Sequence, residues 1–127
     1  MLKIPVLIGP TRPVPDADGL ADQLRALAEP NRLQIIALLR ESERCVCEIE
    51  GALGLSQSLV SNHLRVLRRV GLVQARRDDV DARWIYYRLE KETVDGLLAR
   101  LSGLLDLTRF DPRPVGCTPD GQPVRSP

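Results

Sequence analysis

The chain has 127 residues, enough for one domain core, with 43% hydrophobic, 28% charged and only 3% aromatic residues. No apolar run approaches the roughly 18 residues of a membrane span, and Pro5 and Pro10 interrupt the opening stretch, so neither a span nor a secretory signal is expected and the location is expected to be cytoplasmic. The formal charge of +1 divides unevenly, −2 over residues 1–50, +4 over 51–89 and −1 over 90–127, which points a polyanionic partner at the middle of the chain. Three cysteines, an odd number without an export signal, predict reduced thiols and no disulfide framework.

Pro5, Pro10, Pro13 and Pro15 mark residues 1–15 as an N-terminal arm. Asp16 or Asp18 can cap a first helix with Leu20, Leu24 and Leu27 at helical spacing, ending before Pro30. Pro30 suits the first turn of a second helix carrying Leu33, Ile36, Ala37 and Leu39 or Arg40, which should stop near residues 42–44. A short third helix is expected over about 46–53. Gly54 breaks it, and Ser56 can cap a fourth helix running to about Val70, with Val60, Leu64 and Leu67 facing inward and Gly71 as the stop. The tight break between the third and fourth helices is a helix–turn–helix.

Residues 72–76 and 84–89 are rich in strand-forming types and flank a polar tip at 78–82, the pattern of a hairpin wing. Val94, Leu97, Leu98, Leu101, Leu104 and Leu105 then form one apolar stripe on a helix of about five turns. The fold class expected is mainly α with a β-hairpin wing, a winged helix-turn-helix over 16–108, followed by a proline-rich, extended tail over 109–127. The stripe and the first helix carry more apolar surface than one small domain covers. A homodimer is therefore expected, with Leu20, Leu24, Leu27, Val94, Leu97, Leu101 and Leu104 at its interface.

Gln57, Ser58, Ser61, Asn62 and Arg65 offer donors and acceptors on one face of the fourth helix, suited to base edges in a major groove. Arg65, Arg68 and Arg69 meet no acidic residue between Ser56 and Gly71, and Arg76, Arg77, Arg83 and Arg88 add charge on the hairpin for phosphates.

Residues 33–39, the run Cys45-Val46-Cys47-Glu48-Ile49, the run Ser58-Leu59-Val60-Ser61-Asn62-His63-Leu64 and the run Trp84-Ile85-Tyr86-Tyr87-Arg88-Leu89 together resemble the ArsR/SmtB family of metal-responsive repressors, over about residues 18–108. The resemblance implies a dimer that binds double-stranded operator DNA at an inverted repeat and releases it on binding a metal or metalloid. It differs from the family in a longer hairpin tip and in the proline-rich tail. His63, the only histidine, stands inside the recognition helix, where the resemblance implies a structural role over a metal ligand or proton switch.

The resemblance makes Cys45 and Cys47 the inducer site, of the arsenic-sensing type. Positions i and i+2 of a regular helix lie about 200° apart, so two thiolates can share one ion only if the first turn unwinds or Cys45 lies outside it. Distortion of the helix start on binding is therefore expected, with passage to the recognition helix packed against it. Arg44 and the helix N-terminus favour thiolate, while Glu43, Glu48 and Glu50 oppose it. Trivalent arsenic or antimony prefers three soft sulfurs. Glu50 occupies the position where some relatives carry another cysteine, which leaves Cys117, on the tail, as the candidate third ligand. The expected inducer is As(III) or Sb(III), as arsenite, antimonite or a methylated arsenical, with another soft ion such as cadmium or lead as an alternative, although the N-terminal cysteine pair of cadmium and lead sensors and the last-helix histidine of zinc sensors are missing here. A thiol redox regulator is the main rival. A small enzyme, such as an arsenate reductase using cysteine nucleophiles, is not expected, because no anion-binding loop accompanies these cysteines.

Overall fold

The structure, a computed structural model, describes residues 14–112, 115–117, 119, 121 and 123–125. Most of the expected N-terminal arm, 1–13, lies outside the described residues. Helix α1 (Ala17–Leu27) starts at Asp16, which takes a left-handed conformation (φ 50°) and accepts the Gly19 N–H at 3.2 Å. A Cβ on Gly19 would lie 2.2 Å from that carboxylate, so glycine is what lets the cap close. Helix α2 (Pro30–Glu41) has proline at its first position and Glu29 as its cap, accepting from the Arg32 N–H at 3.0 Å.

Strand β1 (Arg44–Cys45) leads directly into α3 (Val46–Leu53), which ends at Gly54 with φ 67°. The turn then delivers Ser56, whose hydroxyl accepts the Leu59 N–H at 3.2 Å and starts α4 (Gln57–Arg69). Strands β2 (Val73–Arg77) and β3 (Ile85–Leu89) pair antiparallel, Val73 opposite Leu89 and Arg77 opposite Ile85. Both begin one residue later than expected, because Leu72 is drawn into the core and Trp84 closes the tip, donating to Asp81 O and accepting from the Asp78 N–H. Strand β1, not foreseen, joins the other edge of β3, giving the sheet order β1-β3-β2.

Helix α5 (Lys91–Leu104) follows the wing and stops before Leu105, shorter than the apolar stripe suggested. Residues Asp16–Leu101 form one compact unit. Its core joins α1 through Leu20, α2 through Ile35, α3 through Ile49, α4 through Val60, Leu64 and Leu67, and α5 through Leu97. Each fully buried aliphatic side chain of this kind contributes about 1.5–3 kcal/mol.

Two expected interface residues are therefore corrected: Leu20 and Leu97 belong to the protomer's own core, because α1 and α5 each close one side of it. Leu27, Val94 and Leu101 pack partly buried against that core, whereas Leu24 and Leu104 are exposed, as is Leu98 at 60%. No described helix is long and apolar enough to cross a membrane.

The chain ends belong to a second unit. Within it, β4 (Val115–Cys117) pairs antiparallel with β5 (Pro123–Arg125), placing Cys117 opposite Pro123. The tail expected to be extended thus contains a hairpin. β-Branched Val115 and Val124 suit the strands, and Gly121 supplies the positive φ of the turn.

Candidate nucleic-acid interface and thiol pair

Helix α4 packs on α3 as the second member of the helix–turn–helix. Its inward face is Val60, His63, Leu64 and Leu67, so the opposite face is left to solvent. Gln57, Ser58, Asn62, Arg65, Arg68 and Arg69 are exposed there, and Ser61 is half-buried. Arg65 donates to Asn62 at 3.2 Å, which orients both side chains one turn apart. Among the described residues no acid forms an ion pair with Arg68 or Arg69. The face carries base-sized polar groups beside unneutralised positive charge, the combination that groove binding uses.

The hairpin arginines are more committed than the sequence suggested. Arg76 grips Glu43 through two nitrogens, at 2.7 and 2.9 Å, and lies over the Tyr86 ring at 5.2 Å. It ties the wing to the residue before β1, a partner hidden from sequence because β1 itself was, and its assignment to phosphate stays an expectation. This hydrogen-bonded pairing holds the Glu43 carboxyl below its ordinary range against a smaller opposing effect of burial. Arg83 pairs with Asp81 at 2.7 Å, Arg77 donates to Ala82 O at 2.8 Å, and Arg88 donates to Gln74 at 3.2 Å. These three remain exposed and keep spare donors.

His63 is buried at 7% exposure. Arg32 can only donate, so its contact with His63 Nδ1 at 3.2 Å makes that nitrogen the acceptor and leaves the proton of the neutral ring on Nε2, which faces Glu29 at 3.9 Å. The histidine joins α4 to the start of α2, in keeping with a structural role.

Cys45 ends β1 and caps α3 in an extended conformation (φ −87°, ψ 169°), while Cys47 lies in the helix's first turn. Their sulfurs are 3.1 Å apart. Of the two routes the spacing left open, the structure takes the one with Cys45 outside the helix, and no unwinding is needed to bring the sulfurs together. Glu48 fixes the arrangement by accepting the Cys45 N–H at 2.9 Å. Cys45 is buried and Cys47 exposed. Burial, followed by the Cys47 contact, pushes the Cys45 thiol up.

With bonds of about 2.3 Å to a common centre, sulfurs 3.1 Å apart subtend roughly 85°, closer to a pyramidal three-bonded ion than to the ~109° of tetrahedral zinc. The donor set is soft and fits a trivalent metalloid at two of its three positions. Among the described residues no cluster of three histidine, cysteine or carboxylate ligands forms, so the pair lacks a third ligand there. The side chain of Cys117 lies outside the described residues, and its place as third ligand stays an expectation.

A cleft of about 470 Å³ opens beside the pair, between α3, α4 and the wing. Gln57 and Ser61 of the recognition face line it, as do Trp84, Ile85 and Tyr87 of the wing. This juxtaposition was missed in sequence because it depends on β1 drawing Cys45 alongside β3. The alternation of Trp84, Ile85 and Tyr87 was the available signal.

Fold and site together define a winged helix-turn-helix with a thiol pair between its recognition helix and its wing. The family described as "Bacterial regulatory protein, arsR family" matches residues 29–75. The chain is 40% identical over 81 residues to the transcriptional activator HlyU of Vibrio cholerae, covering 64% of this chain and 72% of that protein. It is 41% identical over 83 residues to the arsenic resistance transcriptional regulator ArsR1 of Pseudomonas putida, covering 65% of this chain. The aligned part spans 62% of that relative, less than two-thirds of its length. The homodimeric winged helix-turn-helix DNA-binding domain of a possible ArsR-family regulator from Mycobacterium bovis superposes with a TM-score of 0.56 at 38% identity, over 71% of this chain and 81% of that one. The chain belongs to the ArsR family of bacterial regulatory proteins.

Proposed function

We propose that the protein is a cytoplasmic, homodimeric transcriptional repressor that binds an inverted-repeat operator through α4 and the wing. It releases that operator when As(III) or Sb(III) binds the thiolates of Cys45 and Cys47. The observation that carries this reading is the 3.1 Å approach of the two sulfurs at the edge of a cleft shared with Gln57 and Ser61. A ligand on the sulfurs therefore acts next to the residues that read bases, and it loads the capping residue of α3, which packs on α4, without having to unwind the helix. Reversing operator occupancy from 99:1 to 1:99 takes about 5.5 kcal/mol of differential binding, a size within reach of soft thiolate coordination.

Exposed Leu24 and Leu98 support a dimer face, and the homodimeric Mycobacterium bovis domain supports the same assembly. The redox rival draws on the same short approach, since a disulfide requires the sulfurs to close to about 2.05 Å. Burial of Cys45 counts against it, because peroxide must reach the sulfur it oxidises.

Native mass spectrometry of the protein–operator complex tests this reading. Arsenite should replace the complex of dimer and DNA with free dimer carrying one arsenic per protomer. Release by peroxide with no release by arsenite would favour the redox rival instead.

A further inference from the structure

Among the described residues of α4, every exposed side chain is polar or cationic except Leu59, which stands at 47% exposure. A lone surface leucine is ordinary, but this one belongs to the first turn of the helix assigned to reading bases. At 100° per residue it lies about 60° round the helix from Asn62 and about 100° from Ser58. Its backbone is pinned, because the Leu59 N–H donates to the capping Ser56 hydroxyl at 3.2 Å. Helical Cα–Cβ bonds tilt toward the N-terminus, so the side chain leans toward the end of α4 that contacts base edges.

A helix with its side chains is about 10–12 Å across and the major groove about 12 Å wide, so a docked first turn meets the groove on both exposed flanks. Gln57 and Ser61 form the flank toward the wing. Leu59, with half-buried Val66 two turns on, forms the opposite flank, which has no side-chain donor or acceptor. The one apolar group that base pairs present in the major groove is the C5-methyl of thymine. We infer that Leu59 is a specificity-determining residue that packs on a thymine methyl in each operator half-site. The inference deepens the DNA-reading part of the proposed function and rests on it. Docking takes out of water two apolar surfaces that are wet in the free molecules, whereas a cytosine at that place offers no methyl and leaves the leucine uncovered.

The test uses the full chain and a duplex that it enriches from a pool of random double-stranded DNA. Each thymine of that duplex is replaced singly by deoxyuridine, which differs only in lacking the methyl. For the wild type, one such change in a half-site should weaken binding about fourfold, as the exposure of one methyl requires, and the matching pair of changes about fifteenfold. Leu59→Ala should bind the thymine and uracil duplexes alike, and Leu59→Met, apolar and of similar reach, should keep the discrimination. Because Leu59 is exposed, Leu59→Ala should retain the oligomeric state and urea midpoint of the wild type. A uracil penalty that survives in Leu59→Ala, or the absence of a penalty at any thymine, would overturn the inference and leave the operator reading standing. Failure of the full chain to enrich any sequence would remove the operator reading itself, and the inference with it.

Discussion

Cys45 stands opposite Tyr86 in the β1–β3 pairing, so the residue that caps α3 is also a member of the wing sheet. A ligand that moves Cys45 pulls on both DNA-facing elements at once, α4 through α3 and the hairpin through β3. Cys47, in the first turn of the helix and exposed, has no such second attachment.

The two cysteines should therefore differ in stability while agreeing in induction. Cys45→Ser places a hydroxyl in a buried position and should cost about 1–3 kcal/mol where it finds no partner. Cys47→Ser should stay within about 0.5 kcal/mol, as exposed substitutions do. Urea unfolding of both variants measures the difference, and equal losses would mean that Cys45 is not anchored as described.

Arginines of the helix and of the wing should separate in their salt dependence. Arg68→Ala and Arg69→Ala should each lower the slope of log affinity against log salt by about 0.9 where a phosphate contact is lost. Arg76 is held by Glu43, so Arg76→Ala should lower the thermal midpoint of the protein and leave the slope nearly unchanged. A slope reduced by Arg76→Ala as much as by Arg68→Ala would place Arg76 among the phosphate contacts.

The same pair gives a pH signature. The folded state holds the Glu43 carboxyl below its ordinary value of 4.5, so its contribution to stability is present above that value and is lost as pH falls through the lower folded one. Partial exposure of both partners keeps the effect small. Glu43→Gln should be less stable than the wild type at neutral pH, and the gap should close on acidification. Urea midpoints across this range decide the matter, and a gap that widened in acid would contradict the pairing.

Gly54 joins the two helices of the DNA-reading motif at φ 67°, in open space. Gly54→Ala should cost about 1–2 kcal/mol from backbone strain alone, with no clash to relieve. An unchanged urea midpoint would show that the turn adopts another conformation.

Much of this architecture is legible because it is local. Ser56, Gly54 and Pro30 act on their own turns, and the spacing of Val60, Leu64 and Leu67 fixes which face of α4 is free to read DNA. What was hidden depends on pairing at a distance. A strand of two residues such as β1 has no periodicity to detect, and with it went the Glu43–Arg76 tie, the choice between the two routes left open for Cys45 and the cleft beside Trp84. The role of Leu97 was misjudged for a related reason: an apolar stripe specifies burial but not the surface that covers it.

Release of a fluorescent operator by arsenite, followed by anisotropy for the wild type, Cys45→Ser and Cys47→Ser, bears most directly on how the protein works. All three proteins should bind the operator alike without arsenite. On the proposed reading only the wild type should then let it go, because that reading uses both sulfurs to hold the metalloid and neither to hold DNA. Full release from either serine variant at the wild-type concentration would contradict the shared two-thiolate site.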